Sequence, residues 1–285
     1  MRGLLAMIGA CTIWGLSPVY YKLLDHVPPA EVLAHRALWS LIFFGGLLAL
    51  QGRLRDLGLA ISDRRRAMVL ALAAGMISIN WFFFIYSVQV GRTTEASLGY
   101  YIFPLVAILI GRFWFREKLG PLQWCAVALA ALAVSVLTVG QGVAPWISLL
   151  LATSFGLYGA IKKQLPLGPV VSVTAEILFF LPVAVAILWH VQSGGAGAFG
   201  ASSRDTVLLM ASGPITAMPL ILFSFAARRI QMATSGLLQY INPTLQFFCA
   251  VVLFGEPFTI WHQIAFGLIW VALALYSAAS LQRRI

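Results

Sequence analysis

Glu95–Lys118 reads EASLGYYIFPLVAILIGRFWFREK, and 139 positions later Thr234–Pro257 reads TSGLLQYINPTLQFFCAVVLFGEP. Both are apolar runs with a proline in the first half and charge at the end. Tyr101-Ile102-Phe103-Pro104 falls on Tyr240-Ile241-Asn242-Pro243, and Glu117 falls on Glu256. Proline inside a helix removes one backbone hydrogen bond and kinks the chain. At membrane depth such a break is tolerated where protein or a water-filled cavity satisfies the freed carbonyl. Two matched, proline-interrupted spans therefore point to a binding site between two halves of one fold, with Pro104 and Pro243 as hinges.

Composition agrees with a membrane setting. The 285 residues are 61% hydrophobic and 10% charged, with a mean hydropathy of +0.91. Soluble domains carry about 25% charged residues. The net charge of +10 would suggest nucleic acid in a soluble protein. Here the basic residues sit in short tethers between apolar runs, so topology explains them and no nucleic-acid partner is expected. Cys11, Cys125 and Cys249 lie within apolar runs without metal-type spacing, and read as small packing residues. The basic, apolar start MRGLLAMIGAC imitates a lipoprotein signal, but the apolar run continues to Tyr21, which is spanning length.

Ten spans are expected, near 3–24, 31–50, 67–90, 95–115, 120–139, 145–161, 169–190, 206–227, 232–254 and 260–281. Each must be helical, since lipid cannot satisfy an open backbone. With the N-terminus inside, 15 of the 19 Lys and Arg residues fall on the inner side, leaving Lys22, Arg36, Arg92 and Arg204. The positive-inside rule then places both termini in the cytoplasm. Thr12–Leu16 falls on Thr153–Leu157, 141 positions on. Each half so carries five helices, 1–139 and 140–285, and an odd number inverts the second half. The fold class is an all-α membrane protein of two inverted five-helix repeats around a central cavity. The Gly/Ala/Ser-rich loop Gln192–Asp205 reads as a flexible outer connection without chemistry.

In the ninth span Ser235, Gln239, Asn242 and Gln246 share one helical face. Their counterparts in the fourth are Ala96, Tyr100, Phe103 and Ala107. One wall is thus hydrogen-bonding and the other aromatic. Such polar faces serve a cavity or hold helices together; the paired prolines favour the cavity. Trp14, Ser17 and Tyr21 at i, i+3 and i+7 in the first span, Asn80, Trp81 and Phe84 in the third, and Phe155 and Tyr158 in the sixth extend the candidate substrate face. Tyr20, Tyr21 and Trp146 lie near span ends and suit an interfacial belt.

Ionisable residues within the spans are few. His35 and Arg36 enter the second from outside, and Glu176 enters the seventh from inside. Arg36 and Glu176 occupy equivalent repeat positions, and these three are the candidate coupling residues. Glu95 suits a helix end, and Glu117 and Glu256 suit caps or hinges. No catalytic or nucleotide-binding motif is present, and the four histidines form no ligand pattern, so neither enzyme activity, metal nor cofactor is expected.

Trp14-Gly15 with Ser17-Pro18, the run Glu31–Ser40 (EVLAHRALWS), and Glu95–Ile102 with Pro104-Leu105 resemble the RarD branch of the EamA family, close to the YddG-type amino-acid exporters of the drug/metabolite transporter superfamily. The resemblance covers nearly the whole chain. It implies ten helices around a central substrate cavity in a bacterial inner membrane. Members of such families carry amino acids and other metabolites, and some RarD members are named for chloramphenicol sensitivity. The expectation is a monomeric secondary transporter, surrounded by lipid, that exports aromatic and other apolar amino acids by alternating access. A drug or nucleotide-sugar carrier is the alternative, and a membrane-embedded enzyme is disfavoured. With no acid near the midplane, facilitated diffusion is expected over proton coupling through Glu176.

Overall fold

A computed structural model describes residues 1–116, 118–142, 144–163, 165–195, 197–227, 229–230 and 238–282. The described chain is helical almost throughout. In order it forms α1 Arg2–Lys22, α2 Pro29–Leu50, α3 Leu54–Ser62, α4 Arg64–Gln89, α5 Thr93–Trp114 and α6 Pro121–Gln141. There follow α7 Trp146–Lys162, α8 Pro169–Ser193, α9 Ser203–Ala227, α10 Ile241–Phe248, a π-helical turn Cys249–Leu253, and α11 Ile260–Gln282. Eight of these helices are long and apolar enough to cross a membrane; Trp146–Lys162 and Ile241–Leu253 are shorter apolar helices. Large apolar side chains stand exposed on their outer faces, Phe113 and Trp189 each at 76%. A water-facing surface of that kind would aggregate, whereas lipid matches it. The protein is an all-α, multi-pass membrane protein.

Lipid gives no hydrophobic drive for helices to associate, so close packing at small residues must hold the bundle together. Gly15 and Gly156, 141 positions apart, both show this. A Cβ on Gly15 would sit 2.6 Å from Leu245 Cβ, and one on Gly156 would sit 2.8 Å from Ile110 Cδ1. Each glycine lets its helix touch a proline-containing partner, α10 or α5. The most extensive pairings are α5–α7, α6–α11, α2–α8, α2–α9, α1–α9, α4–α7, α1–α10, α4–α8 and α5–α10. Exchanging α1 with α7, α2 with α8, α4 with α9, α5 with α10 and α6 with α11 maps this set onto itself.

Three readings of the sequence change. The tether between the second and third spans holds an amphipathic helix, α3, whose Leu57, Ala60 and Ile61 pack on Leu48, Leu70 and Val171. Asp63 caps the next helix, accepting from the Arg66 amide at 2.7 Å. The Gly/Ala/Ser-rich loop is docked on α2 rather than loose. Cys11 and Cys249 are buried, but Cys125 is exposed on α6 and fills no core position.

Candidate functional site

The centre of the bundle is built around Asn80 of α4, which is only 1% exposed. Its Nδ2 donates to the Leu151 carbonyl and to Ser154 Oγ, both at 3.0 Å, on α7. Its Oδ1 accepts from the Tyr100 hydroxyl of α5 at 2.9 Å. A buried amide must meet its donors and acceptor or lose about 1–3 kcal/mol. Here one side chain ties three helices together and orients Tyr100.

Aromatic rings continue from that pair in both directions. Tyr100 meets Phe84 edge-on at 5.8 Å and Phe155 at 6.0 Å. Phe155 meets Phe103 at 4.9 Å and stacks on Tyr158 at 6.0 Å. Phe84 meets Tyr21 at 5.8 Å. Edge-to-face pairs at these separations hold ring orientations fixed. The result is a preorganised aromatic wall with one amide and one phenol in it.

A buried ionisable group closes each end of the wall. At one end lies Arg36 of α2, 6% exposed. Its Nη1 donates to the Tyr21 hydroxyl at 2.7 Å, and its guanidinium lies 4.0 Å over the Trp81 ring. At the other end lies Glu176 of α8. Its Oε1 accepts from Lys162 Nζ at 2.6 Å and from Ser172 Oγ at 2.9 Å, and its Oε2 accepts from the Tyr158 hydroxyl at 3.0 Å. Tyr21 and Lys162 are 141 positions apart, and Arg36 and Glu176 are 140 apart. The offset is close to that between the two proline-containing runs, and the chemistry is exchanged between the two ends: cation with phenol, anion with ammonium.

The structure thus brings together Asn80, Trp81, Phe84, Tyr100, Phe103 and Tyr158, with Arg36 and Glu176 at the ends. Trp14 makes its ring contact with Phe223 of α9 at 5.9 Å, and Ser17 bonds back to the Trp14 carbonyl at 2.7 Å. On α10, Gln246 is buried and donates to Asn242 Oδ1 at 2.9 Å. Gln239 is exposed, and Ser235 lies outside the described residues, as does Glu117. Pro104 sits inside a continuous α5, whereas Pro243 falls in the first turn of α10, where a missing amide costs little. The Pro243 carbonyl accepts from Ser97 Oγ at 2.8 Å.

Tyr21 is not a belt residue; it is 2% exposed and holds Arg36. Nor is Lys162 a free tether cation, since it pairs with Glu176. His35 stacks on Phe199 at 4.8 Å, and Glu31 Oε1 accepts from the Ala198 amide at 2.8 Å. The outer loop is therefore seated on α2. Glu256 is a cap: its carboxylate accepts from the Thr93 and Thr94 amides and the Thr94 hydroxyl, all at 2.7 Å. An anion at the start of α5 meets the positive end of the helix dipole. Glu95, in that first turn, pairs with Arg92 Nε at 2.6 Å. Among the described residues no group of His, Cys, Asp and Glu could hold a metal ion.

Residues 1–139 match the model of the EamA-like transporter family. An uncharacterized transporter of Pseudomonas aeruginosa is 40% identical over 97% of this chain and 93% of its own. A protein RarD of Streptomyces exfoliatus is 43% identical over 96% of this chain and 87% of its own. A protein of known crystal structure, 16% identical, superposes with a TM-score of 0.63 over 99% of both chains, a likeness of fold alone. Two full-length relatives at this identity, with the family match, carry the assignment: the chain belongs to the EamA-like transporter family, alongside the RarD proteins.

Proposed function

We propose that this transporter exports amino acids, aromatic and other apolar ones favoured, by alternating access across the bacterial inner membrane. The observation that carries the reading is the Asn80–Tyr100 pair set within an aromatic wall. A zwitterion needs polar partners to replace its water, and an apolar side chain needs rings to lie against. The wall offers both within one closed stretch of the bundle. It is shared by α4, α5 and α7, which come from both halves of the chain.

The self-mapping set of helix pairs, the Gly15 and Gly156 contacts and the matched ends of the wall all support two inverted halves, 1–139 and 140–285. Rocking of one half on the other would then open the wall to each side in turn. The excess of basic residues on one side of the spans supports cytoplasmic termini. Glu176 is already neutralised by Lys162, which favours facilitated diffusion over proton coupling. The transporter functions as a monomer.

The test is counterflow in proteoliposomes with labelled phenylalanine, tryptophan, leucine and chloramphenicol. Uptake of the amino acids against preloaded unlabelled substrate is expected. Uptake of chloramphenicol alone would overturn the amino-acid reading in favour of a drug carrier.

A further inference from the structure

We infer that Arg36 is the anchor for a substrate carboxylate, so that the transported molecule is a carboxylic acid with an apolar or aromatic body. This rests on the transporter reading and adds the charge that the site selects.

A buried guanidinium is costly unless an anion offsets its lost hydration. Among the described residues no carboxylate lies within ion-pair distance of Arg36. Its partners are neutral: the Tyr21 hydroxyl and the face of Trp81. The Nε atom is buried and has no hydrogen-bond partner. Since Nη1 is taken by Tyr21, the unused Nε lies on the edge of the fork that grips a carboxylate side-on.

The other end of the wall shows what a completed site looks like. Glu176 occupies the repeat position of Arg36, and Lys162 occupies that of Tyr21. There the chain supplies both charges, 2.6 Å apart. At Arg36 the described residues supply only one, and the substrate completes the pair. A carboxylate held there leaves the rest of the molecule beside Tyr21, Phe84 and Tyr100, which follow in ring-to-ring contact. The phenol of Tyr21 fixes the guanidinium and Trp81 shields one face, so the fork is positioned before substrate arrives.

Matched acids and amides test the inference in the full-length protein in detergent. Binding of L-phenylalanine and L-phenylalaninamide, and of 3-phenylpropionate and 3-phenylpropionamide, is measured by calorimetry for wild type, Arg36→Gln and Arg36→Lys. Wild type should prefer each acid over its amide at least tenfold. Arg36→Gln should reduce the preference to within threefold by weakening the acids alone. Arg36→Lys keeps charge but loses the fork, so its preference should fall at least threefold; it serves if the glutamine variant does not fold. An acid preference that both variants retain, or none in wild type, overturns the inference. Arg36-dependent binding of phenylpropionate without amino-acid counterflow keeps the anchor and refutes the amino-acid reading. Phenylalanine counterflow with an Arg36-independent acid preference does the reverse.

Discussion

Glu176 and Lys162 form a buried pair of unequal partners, and removing each should have unequal effects. The glutamate is 2% exposed and the lysine 22%. In Lys162→Met a buried carboxylate loses its counter-ion and keeps only Ser172 and Tyr158. Stranding a buried charge costs about 3–5 kcal/mol, and the two neutral donors bring this to the lower end. In Glu176→Gln the ammonium is stranded instead, but its long stem lets it reach solvent. The loss is then one charge-assisted bond, about 1.5 kcal/mol. At about 2–4 °C per kcal/mol for a chain of this size class, Glu176→Gln should melt about 3–6 °C below wild type. Lys162→Met should melt at least twice as far below. The double variant removes both charges and should recover part of the Lys162→Met loss. Melting in detergent by tryptophan fluorescence measures all four proteins. Equal losses in the single variants, or strict additivity in the double, would refute the reasoning. In proteoliposomes Glu176→Gln should respond to an imposed proton gradient as wild type does.

Further outcomes follow from the packing and from the charge pattern. Glu256→Ala exposes two unpaired amides at the start of α5 and should cost about 2 kcal/mol, the upper range for a lost cap; melting in detergent checks it. Gly15→Val drives a side chain into Leu245, with an expected cost of about 1–3 kcal/mol from overpacking. Gly159→Val on α7 meets nothing within 4 Å and should melt like wild type. In intact cells a membrane-impermeant thiol reagent should label a cysteine placed at Ser203 and spare one placed at Ser62.

Eight membrane-length helices were legible because lipid demands long apolar runs, and apolar length survives in the sequence whatever the packing. Asn80, Phe84 and Tyr100 were legible as polar or aromatic residues deep within such runs. Their pairing was not: Asn80 meets Tyr100 and Ser154 through three helices whose crossing no local pattern encodes. Tyr21 shares the spacing of Trp14 and Ser17 but also lies near the end of α1, where a belt residue would stand, and only the direction of its side chain decides between the two. Phe199 and Ala198 sit in a Gly/Ala/Ser-rich loop of low apparent content. They are held by Glu31 and His35, 167 and 164 positions away by number. Glu256 could be named a cap from its place after an apolar run, but not which helix it caps, since α5 begins 163 residues earlier.

Under the proposed function an apolar amino acid lies against the Tyr100 wall during transport. Counterflow of labelled L-phenylalanine by wild type and Tyr100→Leu tests it most directly. Leucine keeps apolar volume but removes the ring contacts to Phe84 and Phe155 and the hydroxyl held by Asn80. Wild type should transport phenylalanine. Tyr100→Leu should remain folded while its KM rises about tenfold, the equivalent of 1.4 kcal/mol, within the range of aromatic pair energies. An unchanged KM in Tyr100→Leu would contradict it.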